Sequence, residues 1–263
     1  MRKYTSFSKT STIVAVVLAA SLGAAAKAAV IATVGTPVAT TGITDFAASS
    51  TNGGSLALST VNASKGAGGT IAGGVSQGVV AGGSFGETFY GISGNLAAIT
   101  EVWNYSPANI AYRPFLFDLG VGSMSAYGSV FNPSAQTNLL DGTTLSAFPG
   151  FAAQSFLEFD FSGGSITLDP THSYAFGLYD TSGAASGFID RANGVTTDPN
   201  GVSYVITGGD PSAQTNAYSS QWGGGVRNMF VGVYTTAVAT PEPASLGIVG
   251  LGAVALLLRK RSA

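Results

Sequence analysis

The sequence predicts an all-β protein, specifically an antiparallel β-sandwich of the jelly-roll kind. From Ser84 onward, short segments rich in aromatic and β-branched residues recur, with turn signals such as Asp141-Gly142 between them. Within the segment 173–179, large apolar residues alternate with smaller ones, as a half-buried strand requires. No stretch between these segments has a convincing helical pattern, so two packed sheets are the expected architecture.

Residues 1–28 have the pattern of a secretory signal peptide, which we expect to be a cleavable helix. Three basic residues precede an apolar run, Ile13–Leu22, and small residues follow. The expected cleavage point lies between Ala28 and Ala29. A retained N-terminal membrane helix is the alternative.

Residues 29–82 form a leader rich in Gly, Ala, Ser and Thr, with Phe46 as its only aromatic residue. So few large apolar groups bury little area per ordered residue. We therefore expect a mobile leader that adds one or two edge strands, for which Val30–Val34 and Ser55–Val61 are the β-like pieces.

Residues 83–238 should form the β-sandwich domain. Uninterrupted strand-to-strand connections favour antiparallel pairing. The expected strands are Leu96–Tyr105, Ala111–Leu119, Ala126–Phe131, Ser155–Phe161, Ser165–Leu168, Ser173–Tyr179, Ser186–Asp190, Val202–Thr207 and Asn228–Thr235.

Residues 239–263 form a tail of three parts that begins with the triplet Pro241, Glu242 and Pro243. Two prolines so close together exclude a helix interior, so the triplet should be extended and accessible. The uncharged stretch 244–258 then predicts a single transmembrane helix, although its 15 residues span only about 22 Å of an apolar layer of about 30 Å.

A tribasic tip closes the chain at Arg259, Lys260 and Arg261. Long basic side chains can extend to the membrane surface, and their charge keeps that end of a helix cytoplasmic. The tip is therefore expected to act as a stop-transfer signal.

This tail resembles the PEP-CTERM sorting signal of exported proteins in Gram-negative, exopolysaccharide-producing bacteria. In that family a membrane peptidase, the exosortase, recognises the triplet and removes the tail. The resemblance implies that the export machinery and the exosortase are partners, that the inner membrane holds an intermediate, and that the body reaches the cell surface or extracellular matrix. An ordinary C-terminal membrane anchor is the alternative.

Composition excludes several classes of function. Between residues 29 and 239 there are four basic and twelve acidic residues, a net charge of −8. Such a surface does not attract nucleic acid, which requires clustered Lys and Arg. The chain contains no cysteine, so thiol nucleophiles, thiolate metal sites and disulfides are excluded.

Few residues suggest catalysis. His172, the one histidine, should lie in a solvated turn, and no nucleophile motif accompanies it. Glu158 and Asp160 share one strand face at a separation that glycosidases use, but we expect them simply to face water. The protein is therefore expected not to be an enzyme, with a polysaccharide-active hydrolase as the least favoured alternative.

Two binding sites are further candidates. Trp103, Tyr105 and Trp222 could stack on sugar rings, which would make the body a carbohydrate-binding module instead of a purely structural or adhesive matrix protein. Packing in the core is the favoured alternative for these side chains. No cofactor is expected, although the loops at 198–200 and Asp210 offer oxygen ligands for a structural Ca²⁺.

Overall fold

The computed structural model describes residues 33–39, 45–60, 75–78, 82–107, 110–122, 130–131, 136–140, 145, 148–151, 153–161, 165–183, 188–193, 203–206, 218–219 and 227–238. The predicted signal helix and the predicted transmembrane helix lie outside these residues. The described part of the chain consists of β-strands and their connections and contains no helix that forms a structural element.

The strands fall into two sheets, and all the pairs between described strands are antiparallel. In chain order they are β1 (Thr33–Val34), β2 (Val38–Ala39), β3 (Ser55–Ser59), β4 (Val75–Gly78), β5 (Ser84–Tyr90), β6 (Gly94–Tyr105), β7 (Tyr112–Val121), β8 (Val130–Phe131), β9 (Thr137–Asn138), β10 (Ser155–Asp160), β11 (Thr167–Leu168), β12 (His172–Asp180), β13 (Phe188–Asn193), β14 (Ser203–Ile206), β15 (Tyr218–Ser219), β16 (Arg227–Met229) and β17 (Val231–Thr236).

The large sheet is built around β6. One edge of β6 pairs with β10 along residues 98–103 and with β11 at residues 94–95. The other edge pairs with β17 along residues 95–101 and with β13 near its end. Because β17 also pairs with β3, the last described strand lies inside the sheet and not at its margin.

Four strands from the predicted leader belong to the large sheet. β1 and β2 pair with β10, β3 pairs with β17, and β4 pairs with β13. Small residues permit this close packing, because a Cβ added at Gly54 would lie 2.6 Å from Cβ of Ala97. The leader therefore contributes more strands than the sequence predicted. The division of the chain at residue 83 stays a prediction.

The small sheet has the order β8-β15-β14-β5-β12-β7-β9. At its centre Gly86 on β5 pairs with Gly177 on β12. A Cβ added at Gly177 would lie 2.1 Å from the carbonyl oxygen of Phe85 and 2.5 Å from Cζ of Phe115. The two strands approach so closely that only glycine fits at this pair.

The core lies between the inner faces of the two sheets, which is the arrangement of a β-sandwich. On the large sheet Leu157, Phe159 and Phe161 are fully buried, as the alternating pattern of their segment predicts. Phe159 contacts Phe176 of the small sheet, with ring centroids 5.2 Å apart. The jelly-roll connectivity stays a prediction, because many connections pass through residues outside the described ones.

The expected strands agree well with the observed ones where aromatic residues alternate, as in β6, β7, β10 and β12. The sequence missed β5, whose Gly86 and Glu87 interrupt an aromatic segment. It also predicted one strand over 228–235, where the chain forms β16 and β17 with Phe230 between them. Phe230 accepts a hydrogen bond from the backbone N–H of Val102 at 3.1 Å.

We expect Gly177→Ala to lower the free energy of unfolding by about 3 kcal/mol, since the added methyl would force the two central strands apart. Gly35→Ala is the matched control, because its Cβ would lie 3.5 Å from the nearest atom, the carbonyl oxygen of Glu158, which is an ordinary contact. Denaturant unfolding of both variants measures the difference. Equal stability of the two variants would contradict the close-approach explanation.

Candidate functional site

Several of the predicted site residues lie outside the described residues. These are the signal cleavage point at Ala28 and Ala29, Trp222, the calcium candidates at 198–200 and Asp210, and the whole tail with its triplet and tribasic tip. They stay predictions from the sequence.

Trp103 does not lie on the surface, which corrects its prediction as a glycan contact. The side chain is fully buried, and its ring lies 5.4 Å from Phe85, 5.8 Å from Tyr112 and 5.2 Å from Phe148, measured between centroids. Its Nε1 donates a hydrogen bond to Oε2 of Glu101 at 2.9 Å. Trp103 is thus the centre of an aromatic cluster that joins the two sheets.

Tyr105, two residues further on, is 40% exposed at the end of β6. The register between β6 and β13 shifts at this point, so that Asn104 is an extra residue between Trp103 and Tyr105. Such a bulge redirects the strand beyond it. The two aromatic side chains therefore do not form a shared platform.

Glu101 is a buried acid that sequence reasoning missed. It shares the core face of β6 with Ile99 and Trp103, and it is fully buried. Its Oε1 has no hydrogen-bond partner in the part of the chain that the structure describes. Burial raises the pKa of Glu101 to about 7, an effect that the hydrogen bond from Trp103 partly offsets. The sequence does contain a signal for this burial, because Glu101 lies two residues from both Ile99 and Trp103 and so shares their face of the strand.

Glu87 is a second buried acid, on the inner face of the small sheet between Phe85 and Phe89. Its Oε2 accepts a hydrogen bond from the backbone N–H of Met229 at 3.0 Å. Thr60 contacts the same stretch of backbone. Its Oγ1 donates a hydrogen bond to the Met229 carbonyl at 2.6 Å and accepts one from the N–H of Val231 at 2.8 Å. Both side chains thus satisfy backbone groups where β16 ends and β17 begins.

Glu158 and Asp160 lie on the outer face of β10, opposite the core, and both are half-buried. Glu158 accepts hydrogen bonds from the backbone N–H of Thr51 at 3.3 and 3.4 Å and from its hydroxyl. Both acids therefore lie on the face away from the core, as expected, and Glu158 is in addition held by Thr51 of the leader segment.

A cavity of about 530 Å³ opens between the leader and the outer face of the large sheet. Its lining is mostly apolar and includes the aromatic residues Phe46, Phe156 and Tyr234 together with the carboxylates of Asp45 and Glu158. It is a pocket of the size and character that small organic ligands occupy, about 300–1,000 Å³.

His172 opens β12, and it is held there by Asp118 of β7. Its Nδ1 lies 2.9 Å from Oδ1 and 3.1 Å from Oδ2 of that carboxylate. The histidine is thus paired with an acid and not simply solvated. The neighbouring Asp169 accepts hydrogen bonds from the N–H and hydroxyl of Thr171, and these bonds lower the pKa of Asp169.

Among the described residues, no helix is long and apolar enough to cross a membrane. No group of three or more His, Cys, Asp or Glu side chains among them is placed to hold a metal ion.

Comparison with protein-family models gives one match, to the PEP-CTERM protein-sorting motif, over residues 239–262. The chain carries a PEP-CTERM sorting motif. Comparison with curated proteins and with solved structures gives no match.

The PEP-CTERM motif makes this chain an exported protein that passes through the membrane and is processed by an exosortase. The motif follows the fold closely, because β17 ends at Thr236 and Pro241 is the fifth residue after it.

We expect Glu101→Gln to stabilise the protein at pH 8 by up to about 3 kcal/mol and to have little effect near pH 4. The pKa of Glu101 is raised from 4.5 to about 7 in the folded state. Folding therefore favours the protonated acid, and wild-type stability falls as the pH rises between these two values. Gln removes the ionisation and keeps an acceptor for Trp103.

Denaturant unfolding of wild type and variant at pH 4, 6 and 8 measures this difference. A stability difference that is the same at all three pH values would show that ionisation of Glu101 does not oppose folding.

Proposed function

We propose that the protein is a non-catalytic structural or adhesive component of an exopolysaccharide or biofilm matrix, released to the cell surface when an exosortase removes its tail. The sorting motif at 239–262 carries this proposal. In its support, the signal-peptide pattern of residues 1–28 provides the entry into export that such sorting needs.

The acidic body suits a role outside the cytoplasm. With a net charge of −8 between residues 29 and 239, it repels other acidic surfaces and stays soluble in a hydrated matrix. The body holds together without disulfides, because its large aromatic residues supply a continuous core.

Replacing Pro241, Glu242 and Pro243 with alanines should leave the tail attached and the protein in the inner membrane. The triplet would then be able to continue the helix, and the peptidase would lose its recognition peptide. Intact mass and cell fractionation of the protein from its native host, with and without the exosortase, measure the outcome.

Val238→Ser is the control, since it changes an exposed residue next to the motif and should be processed like wild type. Normal removal of the tail from the alanine variant would overturn the sorting assignment. A full-length tail on wild type in both strains would mean a plain membrane anchor, and the matrix role would lose its support.

Among the described residues, a carbohydrate-binding role for the body keeps one exposed aromatic candidate, Tyr105, while Trp222 stays a candidate from the sequence. If this ring stacks on matrix sugars, Tyr105→Ala should reduce recovery of the protein with the host's polysaccharide in a pull-down. Val121→Ala, at an exposed apolar residue of the other sheet, should not. Equal recovery of the two variants would remove Tyr105 as a glycan contact.

A further inference from the structure

Three aromatic residues line the cavity outside the large sheet, and of these Phe46 and Tyr234 are buried while Phe156 is half-buried. Phe46 lies against the backbone of β17, where a Cβ added at Gly232 would be 2.9 Å from its Cγ. The rings of Phe46 and Phe156 are 5.4 Å apart between centroids and inclined by 55°. Tyr234 donates its hydroxyl hydrogen to the carbonyl of Ala47 at 3.1 Å.

Two carboxylates line the same cavity and are fixed by neighbouring groups. Glu158 is held by Thr51, while Oδ1 of Asp45 accepts hydrogen bonds from the N–H of Phe46 at 2.8 Å and from the hydroxyl of Ser59 at 2.9 Å. Burial raises the pKa of Tyr234 to about 12, and the charges of Glu158 and Asp45 add to the rise.

Among the described residues that line the cavity there is no Lys, Arg or His, and so no positive side chain to balance the two carboxylates. Thr100 also lines the cavity and is buried. Among the described residues its hydroxyl has no hydrogen-bond partner of ordinary geometry, although it lies close enough to Tyr234 to lower the pKa of the phenol. The site thus combines apolar walls, a negative potential and a buried hydroxyl.

We propose that this cavity binds a small organic ammonium ion, with its alkylated nitrogen against the aromatic rings and its charge balanced by Glu158 and Asp45. Aromatic rings attract such cations through the negative charge of their faces, and the attraction strengthens where water is excluded. The carboxylates add a Coulomb term that a neutral ligand of the same shape would not gain. This inference does not depend on the sorting or matrix role.

The test compares choline with 3,3-dimethyl-1-butanol, which has the same shape without the charge. Equilibrium dialysis of the full chain, kept soluble in a neutral detergent, should show choline binding at least about tenfold tighter than the alcohol. Glu158→Gln should remove most of this difference, because it deletes one of the two charges and keeps the size of the side chain.

Asp160→Asn is the matched control, since it removes the same charge from the same strand face at a residue that does not line the cavity. It should leave choline binding within about twofold of wild type. A second pair of variants changes Val38, which lines the cavity and is 57% exposed. Substitution at this exposed residue leaves the core intact. Val38→Lys should weaken choline binding, while Val38→Gln should not.

Three results would overturn the proposal. The first is equal affinity for choline and the alcohol, which would make the cavity a neutral apolar pocket. The second is an equal loss of choline binding in Asp160→Asn and Glu158→Gln, which would indicate attraction to the overall negative charge. The third is the absence of choline binding at millimolar concentration by wild-type protein that thermal unfolding shows to be folded.

Discussion

The whole fold depends on the contact that β6 makes with the opposite sheet through Trp103. Because β6 pairs along both edges, it fixes the positions of β10 and β17 in the large sheet. The Trp103 ring then fixes the distance to the small sheet through its contacts with Phe85 and Tyr112. In a chain with 37 glycines and no cysteine, these large side chains provide order that small residues cannot.

The two sheets also enclose acids at positions that a simple alternating pattern assigns to apolar residues. Glu87 satisfies the backbone at the break between β16 and β17, whereas Glu101 accepts a hydrogen bond from a single described residue, Trp103. Buried acids usually lower stability unless they satisfy other groups. The core is therefore specified partly by polar contacts, and its stability depends on pH through Glu101 in particular.

Sequence reasoning succeeded where the physical signal is local. The alternation in 155–161 and 173–179 was enough to place β10 and β12, because a period of two residues fixes which side chains face the core. It failed at Gly86, whose role depends on contact with Gly177, ninety-one residues away in the chain. It could not decide between the core and a surface platform for Trp103, since burial depends on which face the partner sheet covers.

The position of β17 has a consequence for the order of events during secretion. Proteins exported as unfolded chains emerge N-terminus first, and β17 is the last strand before the sorting motif. Since β17 lies between β6 and β3, the large sheet cannot be completed until nearly all of the body has crossed the membrane. Closure of the large sheet is therefore a late event in folding, because it waits for the strand that lies directly before the sorting motif.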